Sequence, residues 1–258
     1  MNPNEYEAMA SIEETHWWFK GTRRCFETLL RRAGLLAEFT ARPALDAGCG
    51  TGANLKWMKM RLQSYPLWGF DVSEFAVQYS SSLNPDATIW QQDLCRASEI
   101  PPDIRPDIIV SSDVLYCIDR KAGEAGLKSL CDRLPSRGCL LLHLPACQWL
   151  YSEHDAAVKT QQRYSRGDVA RLIEELGLHC ELLTYRMFLL FPLVVLRRLK
   201  SILYRLSTTS AAARSELVLP NGIINWILGS IVAFENVGFS LGLKYPIGSS
   251  LIAIGRKP

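Results

Sequence analysis

Asp46-Ala47-Gly48-Cys49-Gly50-Thr51-Gly52 combines an acid with three glycines in a G-x-G-x-G spacing. Glycines repeated at such short intervals mark a turn where the backbone approaches a ligand more closely than side chains would permit. The third glycine follows one intervening residue, and the acid stands two positions before the first glycine. That is not the G-x-G-x-x-G pattern of pyrophosphate-binding dinucleotide folds. Further polar groups recur downstream: Asp71-Val72 after Gly69-Phe70, then Gln92-Asp93-Leu94, then Ser111-Ser112-Asp113-Val114-Leu115-Tyr116.

These groups need elements to hold them. Short apolar runs at 43–47, 67–70, 87–91, 107–111, 139–144, 178–185 and 249–254 read as strands. Between most of them lie segments with helical spacing: 53–62, 73–82 with Ser73 as N-cap, 122–134, and 165–176 with Ser165 as N-cap. Strands alternating with helices of this length predict a parallel, doubly wound sheet covered on both faces. Each polar group then falls at the C-terminal end of a strand, where such sheets form their ligand crevice. Ahead of this, Phe19, Phe26, Leu29, Leu30 and Ala33 recur at helical spacing, predicting an amphipathic helix over 15–33 that ends near Gly34. From 188 to 241 the strand rhythm stops and the pattern is helical.

Composition narrows the class. With 258 residues, 48% hydrophobic and 21% charged, the chain is long enough for a sizeable core and too apolar to be disordered. A net charge of +3 gives no strong nucleic-acid signal. The eight cysteines form no C-x-x-C pair, which speaks against a zinc site or a disulfide framework, and no metal is expected. Met1–Ser11 is polar and acidic rather than a signal peptide, so a cytoplasmic setting is expected. The apolar run 187–196 is ten residues with Pro192 inside it, and 223–234 is interrupted by Asn225 and closed by Glu235; neither is expected to span a membrane.

The segment Asp46–Gly52 resembles motif I, D/E-x-G-x-G-x-G, of the class I S-adenosylmethionine-dependent methyltransferases. The resemblance implies a Rossmann-like, doubly wound, mostly parallel seven-stranded sheet. It also implies S-adenosylmethionine as cofactor, with Asp46, Gly48, Cys49 and Gly50 passing under its methionine moiety. Asp71 and Val72 would then meet the ribose, where two acceptors on one carboxylate suit a vicinal diol. Asp93 and Leu94 would meet the adenine, and Ser112 would line the sulfonium. The stretch Glu5-Tyr6 through His16-Trp17-Trp18-Phe19 and Arg23-Arg24 resembles the HWWF-x-x-RR signature of one methyltransferase subgroup. It implies a helix closing over the cofactor, with Trp18 on the adenosine and Arg23 near the methionine carboxylate. The subgroup's C-terminal pattern is matched by Pro220, Asn221, Asn225, Glu235 and Pro246-Ile247-Gly248-Ser249-Ser250. The expected organisation is a helical cap (1–40), the cofactor-binding core (41–186), a helical insertion acting as acceptor lid or membrane-surface region (187–245), and the last strand of the core (246–258).

An oxygen acceptor would need a base. His154 and Asp155, in the loop after the fifth strand, are the best-placed candidates, with His16 a third; His143 reads equally well as a satisfied core histidine, and His179 as a surface or core residue. Where the subgroup carries a second histidine ahead of Arg-Arg-Tyr, this chain has Gln161-Gln162-Arg163-Tyr164. Five basic residues and no acid lie between Met187 and Ser215, with Leu199, Ile202, Leu203 and Leu206 on one helical face. That pattern suits a small or lipophilic acceptor such as a lipid, a lipid-linked sugar or a hydrophobic metabolite. It equally suits rest on an anionic membrane surface, at the inner face, or an ordinary lid helix. Two alternatives keep the fold: non-methylating chemistry of the cyclase or decarboxylase type on the bound sulfonium, and a non-catalytic cofactor-binding partner subunit.

Overall fold

The computed structural model describes residues 3–152, 155–156, 158–207 and 219–258, without side-chain detail for 3–5 and 200–207. Seven strands form one sheet: β1 (Ala44–Ala47), β2 (Leu67–Asp71), β3 (Thr88–Gln91), β4 (Ile108–Ser112), β5 (Cys139–Pro145), β6 (His179–Arg186) and β7 (Ser250–Arg256). Their order is β3-β2-β1-β4-β5-β7-β6, and only β7 runs antiparallel to its neighbours. The chain winds outward through β2 and β3, then returns to place β4 on the other side of β1. The switch point between β1 and β4 opens the crevice at their C-terminal ends.

The connecting helices are α3 (Ala53–Trp57, continued by a π turn Met58–Leu62), α4 (Glu74–Leu83), α5 (Arg120–Cys131) and α6 (Arg166–Glu175). Ser73 caps α4, and Ser165 with Asp168 forms a capping box on α6, as the sequence predicts. Gly126 of α5 lies so close to the 3-10 turn Leu94–Glu99 that an added Cβ would stand 1.9 Å from the Leu94 carbonyl oxygen. Backbone cannot yield as a side-chain tip can. Gly126→Ala is therefore expected to destabilise by about 1–3 kcal/mol despite alanine's better helix propensity, read as a lower melting temperature. An unchanged melting temperature would contradict this packing.

The cap has four helices: α1 (Pro3–Ile12), α2 (Trp17–Arg32), α7 (Phe191–Ser207) and α8 (Gly222–Ser240). The helix expected over 15–33 begins at Trp17, because His16 is its N-cap and accepts from the Trp18 amide. α2 and α8 run side by side. Asn225 accepts from the Trp17 amide and donates to the Thr15 carbonyl, Asn236 donates to the Gly21 carbonyl, and Arg32 donates to the carbonyls of Gly242 and Leu243. Glu235 accepts from the amides of Met187 and Leu189, pinning the turn between β6 and α7. Gly248 passes so near β6 that a Cβ would meet the Arg186 carbonyl at 2.0 Å. Within the C-terminal pattern, Asn225 thus joins the two ends of the chain, while Glu235 and Gly248 hold the end of β6 and the turn after it.

The apolar run at 223–234 is part of a longer helix, as the helical pattern over 188–241 predicts. Asn225 and Glu235 do not break the apolar run at 223–234; α8 continues through both. Its 19 residues make it, among the described residues, the one helix long and apolar enough to cross a membrane by length and composition. The physical reason is that Asn225 and Glu235 face inward, where α2 and the β6–α7 turn supply their partners.

Candidate active site

The register of the sheet sets the site. Asp46 pairs with Gly69 and Val110, Ser112 with His143, His143 with Ile252, and Ser250 with Arg186. Side chains two apart share a face, so Asp71, Asp46, Ser112, His143, Ser250 and Arg186 all lie on the face covered by α2. Deeper on that face the sheet is apolar, with Val110, Leu141 and Ile252 packed with Phe26 and Leu29 of α2. The charged groups therefore cluster at the crevice end, and the deeper Thr184 beside Ile252 is taken up by the Tyr245 amide.

The glycine loop leaves β1 as expected. Gly48 has φ +84°, and a Cβ there would stand 2.4 Å from Cγ2 of Val114 in the loop after β4. Gly50 has φ +53° and donates its amide to Asp71 Oδ2 at 2.9 Å. Both positions require glycine's conformational freedom. Asp46 is fully buried with neither carboxylate oxygen hydrogen-bonded. Burial, with the neighbouring charges of Asp71 and Glu13, pushes its carboxyl up to about 8. Asp71 is raised chiefly by its own burial. Three carboxylates, Asp46, Asp71 and Glu13, converge on one loop; Arg23 and Lys56 lie near Glu13, while Asp46 has no cation beside it. S-adenosylmethionine carries an ammonium and a sulfonium, and its positive charge fits this cluster. Cys49 is buried beside the loop, and Val72 is exposed, its carbonyl accepting from Gln91. Asp93 caps the turn that begins at Leu94, accepting from the Cys95 amide.

The cover over this loop is α1, which carries the Glu5-Tyr6 start of the signature and lies within the helical cap expected over 1–40. The Tyr6 hydroxyl donates to Asp71 Oδ1, Met9 Cε lies 3.2 Å from the Cβ position of Gly50, and the Thr51 hydroxyl donates to Glu13 Oε1. Tyr6 thus holds the carboxylate expected to take the ribose. Arg23 donates to the Glu13 carbonyl and so ties α2 to the end of α1. Trp18 lies elsewhere, over β5 and β6, with its ring 5.8 Å from His143 and 6.0 Å from the Arg186 guanidinium. The His16 cap fixes the rotation of α2, and that rotation turns Trp18 away from the glycine loop.

Among the candidate bases, His154 lies outside the described residues. Asp155 is held by both nitrogens of the Arg163 fork and by the Ser152 amide and hydroxyl. Burial alone would raise its carboxyl, but Arg163 and Ser152 outweigh it and hold the group below the usual range. His16 is occupied as the α2 cap, and burial lowers its imidazole.

His143 stands differently. Its Nδ1 is 2.8 Å from Asp113 Oδ2, and Ser112 Oγ donates to the same carboxylate oxygen at 3.2 Å. The Asp113 amide also donates to the His143 carbonyl. Asp113 has φ +58°, a conformation costly for a non-glycine residue, and it aims the carboxylate at the ring. An aspartate on Nδ1 fixes the proton there and leaves the Nε2 lone pair free. That Nε2 is buried between Trp18 and Phe26 without a hydrogen-bond partner. Arg186 is likewise fully buried, beside the Cys25 thiol and within reach of the charges of Glu235 and Asp113, with no oxygen acceptor for its guanidinium. The signal for the dyad was position: Asp113 and His143 end adjacent strands, a proximity visible only once the β4–β5 register is known.

A family model described as "Methyltransferase domain" matches residues 15–183. No curated protein matches. Among solved structures, a candidate sarcosine dimethylglycine methyltransferase from Galdieria sulphuraria superposes with a TM-score of 0.57 at 14% identity, covering 92% of this chain and 85% of that one. The N-methyltransferase NodS of Bradyrhizobium japonicum, in complex with S-adenosyl-L-homocysteine, gives 0.53 at 13%, covering 93% and 86%. The magnesium protoporphyrin IX methyltransferase of Synechocystis with bound S-adenosylmethionine gives 0.51 at 12%, covering 93% and 81%. Such identities speak for the fold, and the family match, which spans the glycine loop and the crevice strands, speaks for the enzyme class. The chain belongs to the methyltransferase-domain family, enzymes that use S-adenosylmethionine as cofactor.

Proposed function

We propose that this enzyme methylates a hydroxyl or amine on a small, lipophilic acceptor, with His143 as the base. The observation that carries the reading is the unpartnered, buried Nε2 of His143, oriented by Asp113 at the crevice end of the sheet. S-adenosylmethionine supplies an electrophilic methyl group when bound to Asp46, the glycine loop, Asp71 and Asp93. The chain's own part is positioning and proton removal. Trp18, half-buried, offers an apolar face to the acceptor, and the fully buried Phe26 keeps water from the imidazole. Nε2 takes the acceptor's proton, and Asp113 stabilises the imidazolium that results. The described cap helices α1, α2, α7 and α8 act as the lid over this wall. The sequence match at His16-Trp17-Trp18-Phe19 and Arg23-Arg24 supports assignment to the HWWF-x-x-RR subgroup. Acceptor-dependent release of S-adenosylhomocysteine that is lost in His143→Ala tests the reading; release at the wild-type rate by that variant rejects it.

A further inference from the structure

α8 is amphipathic in the reverse of the usual sense. Its inward face carries Val232 and Phe239 together with Asn225, Glu235 and Asn236, each hydrogen-bonded within the protein. Its outward face carries Ile223, Trp226, Ile227, Ser230, Phe234, Val237 and Leu241. These stand at i, i+3, i+4, i+7, i+11, i+14 and i+18, within an arc of roughly 100°. They are not partly covered: Ile223, Trp226 and Phe234 are each 71% exposed and Leu241 is 76% exposed. Glu235 is the only charged residue between Gly222 and Ser240, and it points inward. A surface helix in contact with water places charges outward; this one has none there.

What covers that stripe is indicated by the charges that flank α8 in the sequence. The segment from Met187 to Ser215 holds five bases and no acid, with Leu193, Leu196 and Leu199 of α7 also exposed, and the exposed Lys244 follows α8. Pairing two copies of the protein through this region would bring like charges together, as a two-fold interface sets the same surface against itself. An anionic lipid surface complements both features: acyl chains for the stripe and headgroups for the bases. α8 is fastened to α2 near both ends, by Asn225 and by Arg32 on Gly242 and Leu243. Crossing a bilayer would break these bonds and expose Glu235 and Asn236 to hydrocarbon. We infer that α8 lies in the plane of an anionic membrane surface, its Ile223–Leu241 stripe in the acyl boundary and the neighbouring bases on the headgroups. The inference does not depend on which acceptor is methylated.

The test is sedimentation of the full protein with phosphatidylcholine vesicles, with and without phosphatidylglycerol. Wild type is expected to sediment with the anionic vesicles and only weakly with the neutral ones. Phe234→Asp and Ile227→Asp should each weaken that binding at least about tenfold, with S-adenosylmethionine affinity by calorimetry unchanged. Failure to sediment, equal binding to both vesicle types, or undiminished binding by the variants would overturn the inference. So would a wild-type dimer that the same variants dissociate, which would make the stripe an interface between copies. If the aspartates impair folding, quenching of tryptophan fluorescence by brominated lipid replaces them. It should fall in Trp226→Phe; unchanged quenching would overturn the placement.

Discussion

Replacing His143 with alanine is expected to cut turnover by roughly a hundred- to ten-thousand-fold, the range for loss of a positioned general base. S-adenosylmethionine affinity should stay near the wild-type value, since the imidazole contacts Asp113, Ser112, Trp18 and Phe26 rather than the glycine loop. Asp113→Asn should reproduce part of the loss, because an amide can orient the ring but supports the imidazolium less well. A structural explanation for the histidine predicts something else: reduced stability, with affinity and turnover falling together. Steady-state rates beside calorimetric affinities separate the two, and wild-type turnover in His143→Ala would remove the residue from the mechanism.

Cofactor binding at pH 7 is expected to release about one proton, with Asp46 as its source. Burial and the charges of Asp71 and Glu13 raise its carboxyl to about 8, so at pH 7 roughly nine-tenths of the molecules carry that proton. A cation placed beside the carboxylate favours the ionised form and expels it. Affinity should accordingly rise with pH, by up to about tenfold per unit between roughly 6 and 8, and flatten above. Calorimetry in buffers of different ionisation enthalpy reads the proton count directly. Asp46→Asn should bind the cofactor more weakly and release no proton.

The sign for stability runs the other way. Without cofactor, a carboxyl with a raised folded-state value holds its proton in the folded state and loses it in the unfolded one. Stability then falls as pH rises between about 4 and 8, at up to about 1.4 kcal/mol per unit. Asp46→Asn should flatten this slope. Buffer-independent binding enthalpy in the wild type would contradict the account of Asp46.

The cofactor half of the site was legible because it is local. A strand end, three glycines and an acid lie within seven residues, and Asp71 and Asp93 each follow their own strand. The acceptor half is not local. His143 and Asp113 stand 30 positions apart, and only the parallel register of β4 and β5 makes them a pair. α1 was legible only as part of the cap, because it is short and acidic and buries few side chains, Tyr6 and Ile12 among them. α8 was legible as a helix, but not in its packing, because hydropathy records how much of a helix is apolar and not which side faces in. Its inward Asn225 and Glu235 looked like interruptions, although they are the contacts that hold it.

The central claim is that the Asp46–Gly52 loop and Asp71 form an S-adenosylmethionine site. Titrating S-adenosylmethionine calorimetrically into the wild type and Asp71→Ala tests it most directly. Saturable one-to-one binding is predicted for the wild type. The variant should bind about 10- to 150-fold more weakly, matching the loss of roughly 1.5–3 kcal/mol for hydrogen bonds to a charged group. No binding to the wild type, or equal affinity in the two proteins, would contradict it.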